Sequence, residues 1–427
     1  MKRSTFILLV FLAANVSAQS APANYVTALN KFVRFYNADQ PDSVFAMFSP
    51  EMKTQLPLDK FAATTVQLKT QLGTLDRTDF LKYNQPVAVY KATFKSGVFS
   101  LNLALNNDGL LTALLLKPLE TQTASTAIPL DPAVTESPIM LKTIGSSLSG
   151  TLTMPKDASG KIPVVLIIPG SGPTDRDGNS GQGLATNTYK LLAYALGKAG
   201  IASLRYDKRG IGQSTTPDKE NQLRFEDYVD DANSLINMLN DDGRFSKIII
   251  AGHSEGSLVG MLATNEEPIK GFISLDGAGQ PADKILTEQM KSGPSYLADG
   301  VKRMLDSLRK GKTWDTIDPA LYGLARPSIQ PYLMSWCRYD PTREIKKLKM
   351  PILLIQGTTD LQVSVDNVQK LKSAKSGATM VIVRGMNHIL KDAPLDKEQN
   401  YATYKDPTLP LNQEMVTAVI SFIQGLK

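Results

Sequence analysis

One five-residue run, Gly252-His253-Ser254-Glu255-Gly256, carries the strongest chemical signal in the sequence. It follows the apolar run Lys247-Ile248-Ile249-Ile250-Ala251 and precedes a helical pattern over residues 257–263. A serine on a tight turn between a strand and a helix holds its hydroxyl clear of the sheet, where it can attack a carbonyl carbon. Glycines two before and two after it let strand and helix approach each other. Alone, the pattern arises often by chance; its flanks give it meaning.

A serine hydroxyl needs a base, because its own proton is held too tightly at neutral pH. The chain offers two histidines. His253 adjoins the serine, and neighbouring side chains on such a turn point in different directions; it is expected to pack on the sheet or brace a loop. His388, in Arg384-Gly385-Met386-Asn387-His388, follows the last strand-like run and is the expected base. An acid must orient that base, in chain order Ser, Asp, His. Asp360, just past the run 352–355, is favoured. Asp276, at the end of the preceding strand-like run, is its main rival, and Asp366 a weaker one because it is expected to open a helix. A developing oxyanion needs two backbone donors. The N–H of Glu255 is one. The other is assigned to Ser171 in Pro169-Gly170-Ser171-Gly172-Pro173, with Gly172 as the fallback. The next residues, Thr174 to Asn179, are suited either to local ion pairs or to lining the pocket.

These side chains need a rigid frame, and the spacing of apolar residues describes one. From about residue 138, short apolar runs (164–168, 201–206, 247–251, 271–275, 352–355 and 380–383) alternate with helical patterns. Such runs suit strands buried on both faces of a mostly parallel, doubly wound α/β sheet. Runs at 141–145 and 148–154 are expected to open it as a pair. Residues 277–345 break the rhythm with helical patterns containing Tyr296, Met304, Tyr332 and Trp336. An insertion there would lie over the carboxyl ends of the strands, as a lid. Residues 24–120 read as a separate small α+β domain. Its helical patterns, with Leu29, Phe32, Val33 and Tyr36 on one face and Phe61, Val66 and Leu68 later, precede strands at 87–94, 98–105 and 110–116. A Thr-, Ser-, Ala- and Pro-rich linker is placed at 121–137, ahead of a second domain over 138–427.

The 427 residues are 42% hydrophobic and 21% charged, enough apolar material for two cores. Residues 1–18 read as a secretory signal: Lys2 and Arg3, an apolar stretch from Phe6 to Ala14, and Val16-Ser17-Ala18 before the cleavage point. Without those two cations the net charge of +6 falls to +4. That weak balance, with no dense basic run, argues against nucleic-acid binding. The apolar stretch is too short for a comfortable membrane span, so no stable span is expected after signal removal. The protein is expected to be periplasmic or secreted. Cys337 stands alone, so no intramolecular disulfide forms.

Taken together, residues 138–427 resemble the α/β-hydrolase superfamily. The likeness is greatest to bacterial serine carboxylesterases with a Pro-Gly-Ser-Gly loop and the segment Arg205-Tyr206-Asp207-Lys208-Arg209-Gly210-Ile211-Gly212-Gln213-Ser214. The resemblance implies Ser254, Asp360 and His388 as nucleophile, acid and base, and a small-molecule ester as substrate. Neither a metal nor an organic cofactor is implied. Many superfamily members carry His-Gly where this chain has Pro169-Gly170, which keeps the backbone donor but removes a side chain. The first domain resembles small cone-shaped domains of the nuclear-transport-factor or cystatin type. Two other readings stay open: a peptidase or amidase using the same triad, and a binding protein on a hydrolase scaffold.

Overall fold

Apolar runs build the centre of the larger unit, where every residue of 164–168, 248–253, 271–275 and 352–357 is buried. The computed structural model describes residues 21–118, 128–143, 145–180, 184–264, 268–290, 295–314, 317 and 321–427. The signal expected over 1–18 and the first part of the linker lie outside the described residues. The chain divides near residue 123 into two units.

In the smaller unit α1 (Ala23–Asn37), α2 (Pro41–Ala46), α3 (Pro50–Gln55) and α4 (Leu58–Leu72) precede an antiparallel sheet. Its strands β1 (Leu75–Asn84), β2 (Val87–Phe94), β3 (Gly97–Leu105) and β4 (Leu111–Pro118) pair in chain order. The last three lie where the sequence puts them. The first is an addition: Asp76, Arg77, Asp79 and Lys82 break up its apolar pattern, as befits an edge strand. Leu29, Phe32 and Tyr36 are buried as their spacing requires, but Val66 is exposed. Five residues carry a helix about 140° round from Phe61, whereas seven bring Leu68 back to nearly the same face.

The larger unit holds an eight-stranded sheet in the order β12-β11-β10-β9-β7-β8-β6-β5. The strands are β5 (Val134–Thr143), β6 (Ser146–Pro155), β7 (Ile162–Ile168), β8 (Ala202–Tyr206), β9 (Phe245–His253), β10 (Gly271–Leu275), β11 (Ile352–Gly357) and β12 (Thr379–Val383). β5 and β6 are antiparallel to their neighbours and the rest are parallel. β5 starts at Val134, inside the stretch read as linker. Alternate side chains of β7 serve opposite faces, as the pleat demands. Val164, Leu166 and Ile168 pack with α6 (Phe225–Asp241), α7 (Glu255–Ala263) and α13 (Val365–Ala374). Val165 and Ile167 pack with α5 (Thr188–Lys198) and α14 (Gln413–Gly425).

The described residues of 277–345 include the helices α8 (Ala282–Met290), α9 (Ser295–Leu308), α10 (Tyr322–Ala325), α11 (Gln330–Trp336) and α12 (Pro341–Lys347). Met304, Leu308 and Leu333 join the core on the α6 face. The Trp336 ring stacks on Phe225 with centroids 5.9 Å apart. Among the described residues, no helix is long and apolar enough to cross a membrane.

Candidate active site

β9 delivers its chain directly into the turn that carries Ser254. The serine adopts φ 54° and ψ −120°, between the end of the strand and the first turn of α7. A non-glycine residue reaches that region only at a cost of order 1–3 kcal/mol, borne by the surrounding structure. The flanking glycines are there for space. A Cβ at Gly252 would stand 2.3 Å from the Gly256 carbonyl oxygen, and one at Gly256 2.3 Å from that of Ile168.

The loop after β12 brings His388 to the same place. Its Nδ1 lies 2.7 Å from Asp360 Oδ2, and both side chains are buried. Asp360 is itself held at three points. Its Oδ1 accepts the amide hydrogens of Gln362 and Val363 at 2.7 and 2.9 Å, and Oδ2 accepts Gln356 Nε2 at 3.0 Å. Asp276, the rival, does not reach His388 by a hydrogen bond. Its Oδ1 accepts the Gly357 amide at 2.8 Å, while Oδ2 is buried without a partner. Burial first, and the Asp360 carboxylate second, push its pKa well above the usual carboxylate range. Asp366 opens α13, as its sequence position suggested.

Both ring nitrogens of His253 bond groups other than Ser254. Its Nε2 meets the His388 carbonyl oxygen at 2.7 Å, so that nitrogen carries the hydrogen. Nδ1 therefore accepts from Tyr189 Oη at 2.8 Å, and the Tyr189 oxygen accepts the Gly170 amide at 3.0 Å. One relay thus ties the loop after β7, the strand β9 and the loop that carries His388 together. With Gly170 N–H committed to Tyr189, the next amide of that loop belongs to Ser171. Ser171 and Ser254 border two adjoining cavities. One, of about 90 Å3, is lined by Thr174, Tyr189, Gln362, His388 and Tyr404 among others. The second, of about 50 Å3, is walled by Leu258, Ile285, Leu286, Trp336 and Val363 and takes in Glu255. The insertion therefore shapes the site through Ile285, Leu286 and Trp336, while its other large apolar side chains are mostly core.

Residues 179–315 match the family described as serine aminopeptidase, S33, and residues 30–114 match a family of unknown function, DUF3887. Esterase EstD of Thermotoga maritima is 27% identical over 371 residues, covering 84% of this chain and 86% of that protein. The chain has the α/β-hydrolase fold. A 2-(acetamidomethylene)succinate hydrolase of Mesorhizobium japonicum is 22% identical over 210 residues, covering 45% of this chain and 73% of that protein. Among solved structures, Est1E of Butyrivibrio proteoclasticus with ferulic acid bound is 21% identical with a TM-score of 0.45. It covers 66% of this chain and 99% of its own.

In this α/β-hydrolase fold the segment 205–214 proves to be a set of buried anchors. Arg205 pairs with Glu136 and Asp177, Arg209 pairs with Asp231, and Asp207 receives Arg176. Residues 174–179 accordingly serve both suggested ends: Arg176 and Asp177 anchor, while Thr174 and Gly178 line the first cavity. Gly212 must be glycine, with φ 56° and a Cβ position 2.4 Å from Asp207 Oδ2. Sequence reasoning missed Lys208, Tyr189 and Tyr332 as site residues. Lys208 stood in a visible motif, but nothing in sequence announced the other two.

His253, Asp276 and His388 each bring one ligand-type atom within 4.8 Å of the others. Both His253 nitrogens are committed to protein partners, so a cation there would have to break the relay. The same burial lowers the His253 pKa from 6.5 to about 3, with the neighbouring His388 as the second cause. Between those values the unfolded chain binds a proton that the native state refuses, so stability falls as pH falls through that window. His253→Gln, which cannot protonate, is expected to lose less of its melting temperature than wild type between pH 6.5 and 4.5. Parallel melting curves would count against a neutral, buried His253.

Proposed function

We propose that this chain is an exported carboxylesterase working through Ser254, His388 and Asp360. The observation that carries the reading is the 2.7 Å contact between His388 and the triply held Asp360, beside the cavity that Ser254 borders. Ser254 Oγ attacks the ester carbonyl and His388 takes its proton, while Asp360 stabilises the imidazolium. The tetrahedral oxyanion rests on the amides of Glu255 and Ser171. His388 then protonates the leaving alcohol and later activates the water that frees the acid.

A peptidase reading draws on the match to the serine aminopeptidase family. An aminopeptidase must hold a substrate's charged α-amino group, and a free carboxylate is the usual means. Among the described residues lining the two cavities the sole carboxylate is Glu255, which Lys208 already neutralises. That favours an uncharged acyl group. Rates on a p-nitrophenyl ester and on the matched aminoacyl p-nitroanilide should therefore differ by orders of magnitude in favour of the ester. Faster cleavage of the anilide would reverse the reading. Failure of a fluorophosphonate probe to label Ser254 would remove hydrolysis altogether.

A further inference from the structure

Lys208 lies outside the three groups that act on substrate, yet it touches the backbone of one oxyanion donor and the side chain of the other. It follows β8, and its ammonium donates to the Gly170 carbonyl oxygen and to Glu255 Oε1, each at 3.1 Å. The same nitrogen stands 4.4 Å over the Tyr228 ring, and Tyr332 of α11 donates its hydroxyl to Glu255 Oε2. Lys208, Glu255 and Tyr332 are all buried. The carbonyl that Lys208 holds belongs to the Gly170–Ser171 peptide, whose other end is the Ser171 N–H. A peptide group is one resonance unit. A cation on its oxygen draws charge away from nitrogen, makes the N–H a stronger donor and fixes the plane in which it points. Lys208's counter-ion belongs to Glu255, whose own N–H is the second donor.

Stability is a poor explanation for this pair. A buried ion pair costs about as much in lost hydration as its attraction returns, and apolar replacements are often neutral or better. Nor do neighbouring arginines need Glu255, since Arg176, Arg205 and Arg209 each have carboxylates of their own. We propose that Lys208 is a positioning residue for the oxyanion site: it polarises and orients the Gly170–Ser171 peptide and, through Glu255 and Tyr332, fastens both donors to the helical insertion. This role rests on the serine-hydrolase reading.

The test compares wild type, Lys208→Met and the double variant Lys208→Met/Glu255→Gln. Three quantities are read: kcat and KM on a p-nitrophenyl ester, the inhibition constant of a reversible aryl trifluoromethyl ketone, and melting temperature. The ketone reports on the oxyanion because Ser254 Oγ adds to its carbonyl carbon, the C=O pair moves to oxygen and the serine proton passes to His388. Lys208→Met should lower kcat about 10- to 100-fold, less than loss of a whole oxyanion donor, with KM little changed. Ketone affinity should fall in proportion. In the double variant no unpaired charge is buried, so melting temperature should recover while kcat and ketone affinity do not. Recovery of turnover along with stability would overturn the proposal, and so would unchanged ketone affinity in either variant. If Lys208→Met fails to fold, the double variant decides alone. Wild-type protein that neither hydrolyses the ester nor takes a fluorophosphonate at Ser254 would sink the underlying reading, and Lys208's role with it; that failure is seen without any variant.

Discussion

Ser254→Ala is expected to lower ester turnover by on the order of 10⁴–10⁶ and to abolish fluorophosphonate labelling, with His388→Ala close behind in turnover. The two losses should not add. Either change removes the activated alkoxide, and the activity that survives comes from the oxyanion donors and substrate binding, which both variants keep. A companion variant separates chemistry from strain. At φ 54° and ψ −120° an alanine is strained like the serine it replaces, whereas a glycine is not. Ser254→Gly should thus be as inactive as Ser254→Ala but more stable by about 1–3 kcal/mol. Equal melting temperatures for the two would mean that the turn stores no strain. A Ser254→Ala enzyme with a tenth of normal turnover would mean that the nucleophile lies elsewhere.

The parts of the site set by local chain order were legible, and those set by distant packing were not. Ser254 sits where an all-apolar strand meets a helix, and both strand and helix announce themselves by spacing. With two histidines in the chain and one of them beside Ser254, the sequence left His388 as nearly the one candidate for the proposed base. The central strands read cleanly because burial on both faces leaves no polar positions, whereas β1 hid behind Asp76, Arg77, Asp79 and Lys82. Lys208 illustrates the opposite case. Its motif was plain, but its partners Gly170 and Glu255 come from two other elements, and Tyr332, which bonds that glutamate, is 77 residues from it. The departure from His-Gly to Pro169-Gly170 also gains a physical sense here. The Gly170 peptide groups are held from both ends, N–H by Tyr189 and C=O by Lys208.

The choice between Asp360 and Asp276 was open in sequence because both end adjacent parallel strands, β11 and β10. The second large prediction turns on it. Asp360→Asn should lower kcat by about 10⁴, because an amide facing His388 Nδ1 favours the tautomer that leaves Nε2 protonated and unable to act as base. Asp276→Asn should change kcat little, since Asp276 bonds the Gly357 amide and not the imidazole. Its effect belongs instead to stability. Burial, and after it the Asp360 carboxylate, hold the Asp276 carboxyl well above the usual carboxylate range. The native state therefore keeps a proton that the unfolded chain releases above about pH 4, and wild-type stability falls as pH rises towards the native pKa. Asparagine has no such ionisation, so the variant's advantage in melting temperature should widen with pH across that window. If Asp276→Asn lost 10⁴ in kcat while Asp360→Asn kept a tenth of normal turnover, the two aspartates would exchange roles. A pH-independent stability difference would mean instead that Asp276 is ionised in the folded protein. It would then be a second negative charge beside Asp360, and the imidazolium formed during turnover would face two carboxylates rather than one.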